Sequence, residues 1–116
     1  MEECNIRFIP FPTDGEKTIV RADCVLFCRS DGEYTRAMLS DGSVVEIRCC
    51  LNSMEEMLVS CGFFRCHELY MVNGNLVKEF FADNNKRYAR VHLDTNVPIS
   101  MSYYSNFQDS LMTLLR

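Results

Sequence analysis

Short apolar runs in this chain alternate with turn signals. The signals are Thr13-Asp14-Gly15, Ser30-Asp31-Gly32, Ser40-Asp41-Gly42-Ser43, Asn73-Gly74 and Asp83-Asn84-Asn85. Asp-Gly and Asn-Gly suit the positive φ angles of tight hairpins. Runs this brief are of strand length rather than helix length. The pattern therefore predicts a mainly β fold of short antiparallel strands. Val25-Leu26-Phe27-Cys28 is one compact apolar run. Tyr34 to Leu39 alternates, with Thr35, Ala37 and Leu39 on one face and Tyr34, Arg36 and Met38 on the other. Asp41-Gly42 is expected to close a type I′ turn onto a return strand with Val45 and Ile47 facing the core. Tyr70-Met71-Val72 is a further strand, and Leu76 to Phe81 is read as the next. Arg87 to Leu93 alternates again, Ala89, Val91 and Leu93 against Tyr88, Arg90 and His92. Val97-Pro98-Ile99 reads as a short edge strand.

Two helices interrupt the strands. Ser53 and Glu56 have the spacing of a capping box. Met54, Met57, Leu58 and Cys61 then fall on one face, and Gly62 stands where a C′ glycine would stop the helix. A second helix is expected near Ser102, with Tyr104, Phe107, Leu111 and Leu114 or Leu115 on its apolar side. Residues 1–17 form an expected edge strand and lead-in, with two prolines breaking the apolar stretch from Ile6 to Phe11. Residues 18–116 form the remaining domain.

At 116 residues and 47% apolar composition the chain supports one modest core and one domain. No apolar run approaches the roughly 18 residues of a membrane span. Seven cysteines, an odd number without a secretion signal, read as reduced thiols in an intracellular, cytoplasmic chain. No C-x-x-C pair supports a zinc site, and no Gly-rich loop supports a phosphate cradle, so no metal or cofactor is expected. Cys66-His67 is the one tempting catalytic pair. Neighbours on a strand point to opposite faces, so the two cannot meet as thiolate and imidazole. No enzyme is expected. Net charge is −4, which argues against binding nucleic acid by bulk charge. The charge is uneven: residues 1–58 carry 6 basic and 11 acidic side chains, residues 59–116 carry 6 and 5.

The order of motifs from Cys24 to Phe107 resembles the LytTR family, the DNA-binding output domain of LytR/AlgR/AgrA-type bacterial response regulators. Phe64-Arg65-Cys66-His67-Glu68-Leu69-Tyr70-Met71-Val72-Asn73, with Phe63 before it, is similar to the family's F-x-R-x-H-x-x-Y-x-V-N block. Ser30-Asp31-Gly32-Glu33-Tyr34-Thr35 resembles its s-D-G-N-Y-T turn. Leu51 to Leu58 resembles its short helix, and Val97-Pro98-Ile99-Ser100 the segment before its last helix. The resemblance implies about ten short strands in stacked antiparallel sheets, with one short internal helix and a C-terminal helix.

It also implies a sequence-specific transcriptional regulator whose partner is double-stranded DNA, with promoter direct repeats as the expected target. Three loops would enter the major groove, and they map to Arg29, Asp31 and Glu33, to His67 and Glu68, and to Ser100, Met101 and Ser102. Arg29, His67 and Ser100 are the first candidates for phosphate contact. Arg36, Lys86, Arg87 and Tyr103 are further ones. Family members often carry a polar or basic residue at the first turn, Arg or Asn after the histidine, and Arg after the serine. Here those positions hold Glu33, Glu68 and Met101. The alternative is thus a LytTR-fold interaction or dimerisation module without specific DNA binding. A receiver domain of about 100–150 residues does not fit beside the domain in this length. The chain is expected to be a stand-alone regulator or an excised output domain, working as a homodimer or with a partner protein.

Overall fold

The computed structural model describes residues 7–92 and 95–114, with side chains up to residue 106 and at Asp109. Ten strands form three antiparallel sheets. Strands β1 (Phe8–Thr13) and β2 (Glu16–Arg21) make a hairpin. Strands β3 (Val25–Asp31), β4 (Tyr34–Leu39), β5 (Val44–Ile47), β6 (Phe63–His67) and β7 (Tyr70–Asn73) form the central sheet, in the order β5-β4-β3-β7-β6. Strands β8 (Glu79–Asp83), β9 (Lys86–His92) and β10 (Thr95–Ile99) form the third sheet, with β9 in the middle. Helix α1 (Leu51–Ser60) lies between β5 and β6, and α2 (Met101–Leu114) follows β10.

The central sheet has a hydrophobic core on each face. On one side Val25, Cys28, Ala37, Ile47, Phe63 and Met71 meet Ile9 and Phe11 of the hairpin and Leu51, Met54 and Leu58 of α1. On the other, Leu26, Cys66 and Val72 meet Ala89, Val91, Val97 and Ile99 of the third sheet. Burial on both faces is why β3 and β7 read as continuous apolar runs, not as alternations. The register shift between Val25 and Phe27 lets the neighbours Leu26 and Phe27 turn to the same core, while Val25 and Cys28 on either side enter the other. Strand β4 is flanked by solvent on its second face and alternates as expected, with Thr35 and Ala37 buried. Thr35 Oγ1 donates to the Cys49 carbonyl at 2.8 Å, which satisfies the one hydroxyl in that row.

Three local expectations are corrected. Helix α1 starts two residues before Ser53, with Cys50 at the N-cap, so Ser53 lies inside the first turn and the capping box does not form. The Asp41-Gly42 turn is not type I′. Gly42 has φ 91° but Asp41 does not share a positive φ, because its Oδ1 is held by the Ser43 amide at 2.9 Å and hydroxyl at 2.6 Å. With Gly42 N donating to Leu39 O, the loop is a type I turn followed by a left-handed glycine. The two-residue turn with both central φ angles positive is instead Asn84-Asn85, at 53° and 66°. Finally, the strand expected from Leu76 begins only at Glu79, because Gly74–Leu76 winds into a 3-10 turn. Leu93 and Leu115 lie outside the described residues, and so do the side chains of Phe107, Leu111 and Leu114.

That 3-10 turn is organised by Asn73, which is 1% exposed. Its Nδ2 donates to the carbonyls of Ala22 and Val25, both at 3.0 Å, and its Oδ1 accepts from Asn75 N at 3.1 Å. The side chain thereby joins the end of β7 to the start of β3. Gly74 beside it is required by close approach: a Cβ there would lie 2.3 Å from Phe64 Cε2. Replacing Asn73 with Ala removes three hydrogen bonds; the Ala22 carbonyl keeps the Val25 amide, while the bonds to Val25 O and Asn75 N are lost outright, a buried group left unsatisfied costing about 1–3 kcal/mol. The expected loss for Asn73→Ala is about 2–4 kcal/mol, read as a lower urea midpoint with an unchanged m-value.

Candidate nucleic-acid interface

Three loops meet at one end of the central sheet. The first joins β3 to β4 through Gly32-Glu33, with Asp31 paired to Tyr34. Gly32 has φ 66° and Glu33 does not, the pattern of a hairpin with glycine at its first central position. Asp31 does not project freely. Its Oδ2 accepts from Arg36 Nε at 2.9 Å, and the same guanidinium reaches Glu46 at 3.5 Å. Glu33 is exposed at the tip and has no ion-pair partner among the described residues.

The second loop joins β6 to β7 through Glu68-Leu69, after a bulge between Arg65 and His67. Arg65 shapes it. Its side chain is only 11% exposed. Nε donates to His67 O at 2.9 Å, Nη2 donates to Glu68 O, and Nη1 donates to Glu55 Oε1 of α1 at 2.6 Å. All three guanidinium nitrogens are thus used, two of them on the carbonyls of the turn. His67 Nδ1 accepts from Leu69 N at 3.1 Å, so in this geometry Nδ1 is the unprotonated nitrogen and Nε2–H is left for another acceptor. Glu68 is exposed, and its carboxylate has no partner among the described residues.

The third loop is the start of α2. Ser100 N donates to Cys66 O at 2.9 Å, and Tyr103 N donates back to Ser100 O at 3.1 Å. The Ser100 hydroxyl is buried and has no hydrogen-bond partner among the described residues. Met101 is 69% exposed, and Ser102 is exposed beside it. Arg87 approaches from β9, donating from Nη1 to Met101 Sδ and lying 4.3 Å over the Tyr104 ring.

Backbone bonds tie the three loops together. Ser30 N donates to Leu69 O at 2.7 Å, linking the first to the second, and the Ser100–Cys66 bond links the second to the third. Two cavities open along this edge. One, of about 370 Å³, is lined by Gly32, Glu68, Cys50, Arg65 and Tyr103. The other, of about 360 Å³, is lined by His67, Lys86, Arg87, Ser100 and Met101. Seven of the eight sequence candidates therefore lie in or directly beside the three linked loops. Arg29 stands back from the tips, on the face of the central sheet, over a separate cavity of about 230 Å³ with Phe27, Met38 and Tyr70. It has no charged partner among the described residues. The sequence reading missed Glu55 and Asn85. Glu55 sits on the α1 face that reaches Arg65, and Asn85 belongs to the hairpin that carries Lys86 to the edge.

The cysteines beside the interface differ in chemistry. Burial pushes the thiols of Cys28 and Cys66 up to about 12. Cys66 is fully buried while His67 is not, so the two are separated as the strand geometry requires. Cys50 is shifted the other way, chiefly by the Ser53 hydroxyl 3.1 Å from its sulfur. Among the described residues no three His, Cys, Asp or Glu side chains are grouped to hold a metal ion, and no helix is long and apolar enough to cross a membrane.

A family model for the LytTr DNA-binding domain matches residues 15–112. The chain belongs to the LytTR family of DNA-binding domains. Its fold agrees. A solved LytTr DNA-binding domain, from a protein described as a methyl-accepting/DNA response regulator of Bacillus cereus, superposes with a TM-score of 0.75 at 23% identity. The match covers 90% of this chain and 95% of that one. No curated protein sequence matches this chain. Membership in LytTR makes this a DNA-binding regulator domain of β-rich architecture.

Two outcomes follow from the side-chain geometry of this LytTR domain. Arg65→Ala unpairs the Glu55 carboxylate and two turn carbonyls. Hydrogen bonds to charged groups contribute about 1.5–3 kcal/mol, so the variant is expected to lose about 2–4 kcal/mol in urea unfolding, with Arg65→Lys recovering part of it. In native protein at pH 8, iodoacetamide should label Cys50 before any labelling of Cys28 or Cys66, since the thiolate is the reacting form. Peptide mass spectrometry checks the order, and denaturation should expose the other two.

Proposed function

We propose that this LytTR domain is a sequence-specific transcriptional regulator that places its three linked loops in the major groove of duplex DNA. The observation that carries the reading is the tying of the three loops into one edge by the Ser30–Leu69 and Cys66–Ser100 backbone bonds. A rigid edge with three projecting tips can address base edges, whereas separate mobile loops would lose affinity to ordering. Around the tips stand groups suited to phosphate: the Nε2–H of His67, the hydroxyl of Ser102, and Lys86 and Arg87 from the β8–β9 hairpin, with Arg29 set back on the sheet face and the Ser100 hydroxyl buried behind them. In this reading residues 18–116 carry binding and residues 1–17 lead into them. The protein acts in the bacterial cytoplasm, and pairs of copies occupy direct repeats in a promoter.

The competing reading is an interaction module of the same fold. The unpaired carboxylates of Glu33 and Glu68 on the exposed edge favour it, because they repel phosphate. Titration against a pool of random duplexes at two salt concentrations separates the two. The DNA reading expects enrichment of particular sequences and affinity that falls with salt, by a log–log slope of about −0.9 for each phosphate neutralised. Arg29→Ala and Lys86→Ala should each lower the slope by about 1 without altering the enriched sequence. Binding that is flat in salt, or no enrichment, would overturn sequence-specific recognition and leave the interaction module.

A further inference from the structure

We infer that the three loop tips read pyrimidines: Glu33 and Glu68 each accept a hydrogen bond from the N4 amino group of a cytosine, and Met101 packs on the methyl group of a thymine. This rests on the DNA-binding reading above and assigns the bases that the edge selects.

The two carboxylate tips differ from their surroundings in having no partner among the described residues. Arg36, the cation nearest the first tip along the strand, is committed to Asp31 and Glu46. Arg65, beneath the second tip, is committed to Glu55 and to two carbonyls, one of them the backbone oxygen of Glu68 itself. The Glu33 and Glu68 carboxylates are left exposed and unneutralised among the described residues. An ionised carboxylate only accepts hydrogen bonds. In the major groove guanine presents N7 and O6, and thymine presents O4, so a carboxylate is repelled by both. A donor is offered only by cytosine N4 and adenine N6. Adenine sets its donor beside the N7 acceptor, a pair that suits an amide side chain and penalises a carboxylate. Cytosine remains.

Met101 supplies the third reader. At 69% it is the most exposed large hydrophobic side chain among the described residues. It opens α2 between two serines, and Arg87 Nη1 on its sulfur fixes its direction. A thioether offers almost no hydrogen bonding, and the apolar feature of the major groove is the thymine C5 methyl. Because backbone bonds join the loops, the three readers keep a fixed spacing. Lys86 and Arg87, on the same edge with His67 and Met101, offset part of the phosphate repulsion at the two carboxylates.

The test uses the full chain and a random duplex pool, selected at two salt concentrations and sequenced. The enriched site should contain two cytosine positions and one thymine position on the contacted edge. Glu68→Gln should turn one cytosine position to adenine, by about fivefold or more, since an amide matches adenine N6 and N7, while the other positions stay. Replacing the selected thymine with deoxyuridine should weaken wild-type binding about fourfold, one buried methyl group, and should leave Met101→Ala unaffected. Salt-sensitive, sequence-selective binding whose preferred bases ignore Glu68→Gln and deoxyuridine overturns the base assignment and leaves the DNA-binding reading standing. Absence of selective binding overturns both.

Discussion

The constraint on which this structure depends is that β3 and β7 are buried on both faces. Each strand must serve two cores, and a strand under that demand cannot slip by one residue without exchanging all its neighbours. Phe27 opposite Val72 and Arg29 opposite Tyr70 are therefore fixed in register. The ends of the strands are fixed with them. At one end Asn73 locks the chain back onto Ala22 and Val25. At the other, the same register carries the two hairpin tips that project beyond the sheet. The apolar layers thus do more than stabilise. They set the position from which Glu33 and Glu68 leave the body of the protein.

Arg65 converts that placement into a defined turn. A hairpin with a bulge before it leaves carbonyls turned away from the ladder, and here two of them face one guanidinium. A lysine has no planar fork with which to hold both carbonyls and Glu55 at once. The Glu55 end ties the turn to α1, which is itself seated in the first core by Leu51, Met54 and Leu58. Positioning of the edge therefore draws on both cores: α1 and the hairpin below, the third sheet and α2 above.

Much of this was legible in the chain because the informative residues act locally. Asp31-Gly32 and Asn84-Asn85 announce turns through their own backbone preferences, and Thr35 and Ala37 announce a face through alternation. The errors arise where a side-chain hydrogen bond or the core outweighs the backbone preference. Ser53 and Glu56 have capping spacing, yet α1 begins earlier because Leu51 is pulled into the core at 1% exposure. Asp41 has the composition of a type I′ turn, yet its carboxylate is held by Ser43 and the turn changes type. Leu76 has strand composition, yet the buried Asn73 side chain winds that segment into a 3-10 turn. The eight site candidates came from motif order and not from any local physical rule. The joining of seven of them into one edge depends on the Ser30–Leu69 and Cys66–Ser100 bonds, between residues far apart in sequence.

Charge shows the same separation between local and global. The net −4 of the whole chain reads as a bias against nucleic acid. Much of the acidity is neutralised where it stands: Asp23 by Arg21, Asp31 and Glu46 by Arg36, Glu55 by Arg65, Glu79 by Arg90. In the proposed reading, what an approaching duplex would meet at this edge is the remainder, cations set back from the tips and two carboxylates on them. Cations set back address the phosphate rails, which carry no sequence information. Carboxylates at the tips contribute no bulk attraction, and every misplaced approach to a phosphate or to a guanine edge costs energy. On that reading an edge of this kind would bind weakly to DNA in general. It gains affinity only where donors face the tips, so the acidity that lowers non-specific binding is the same property that widens the gap between right and wrong sites.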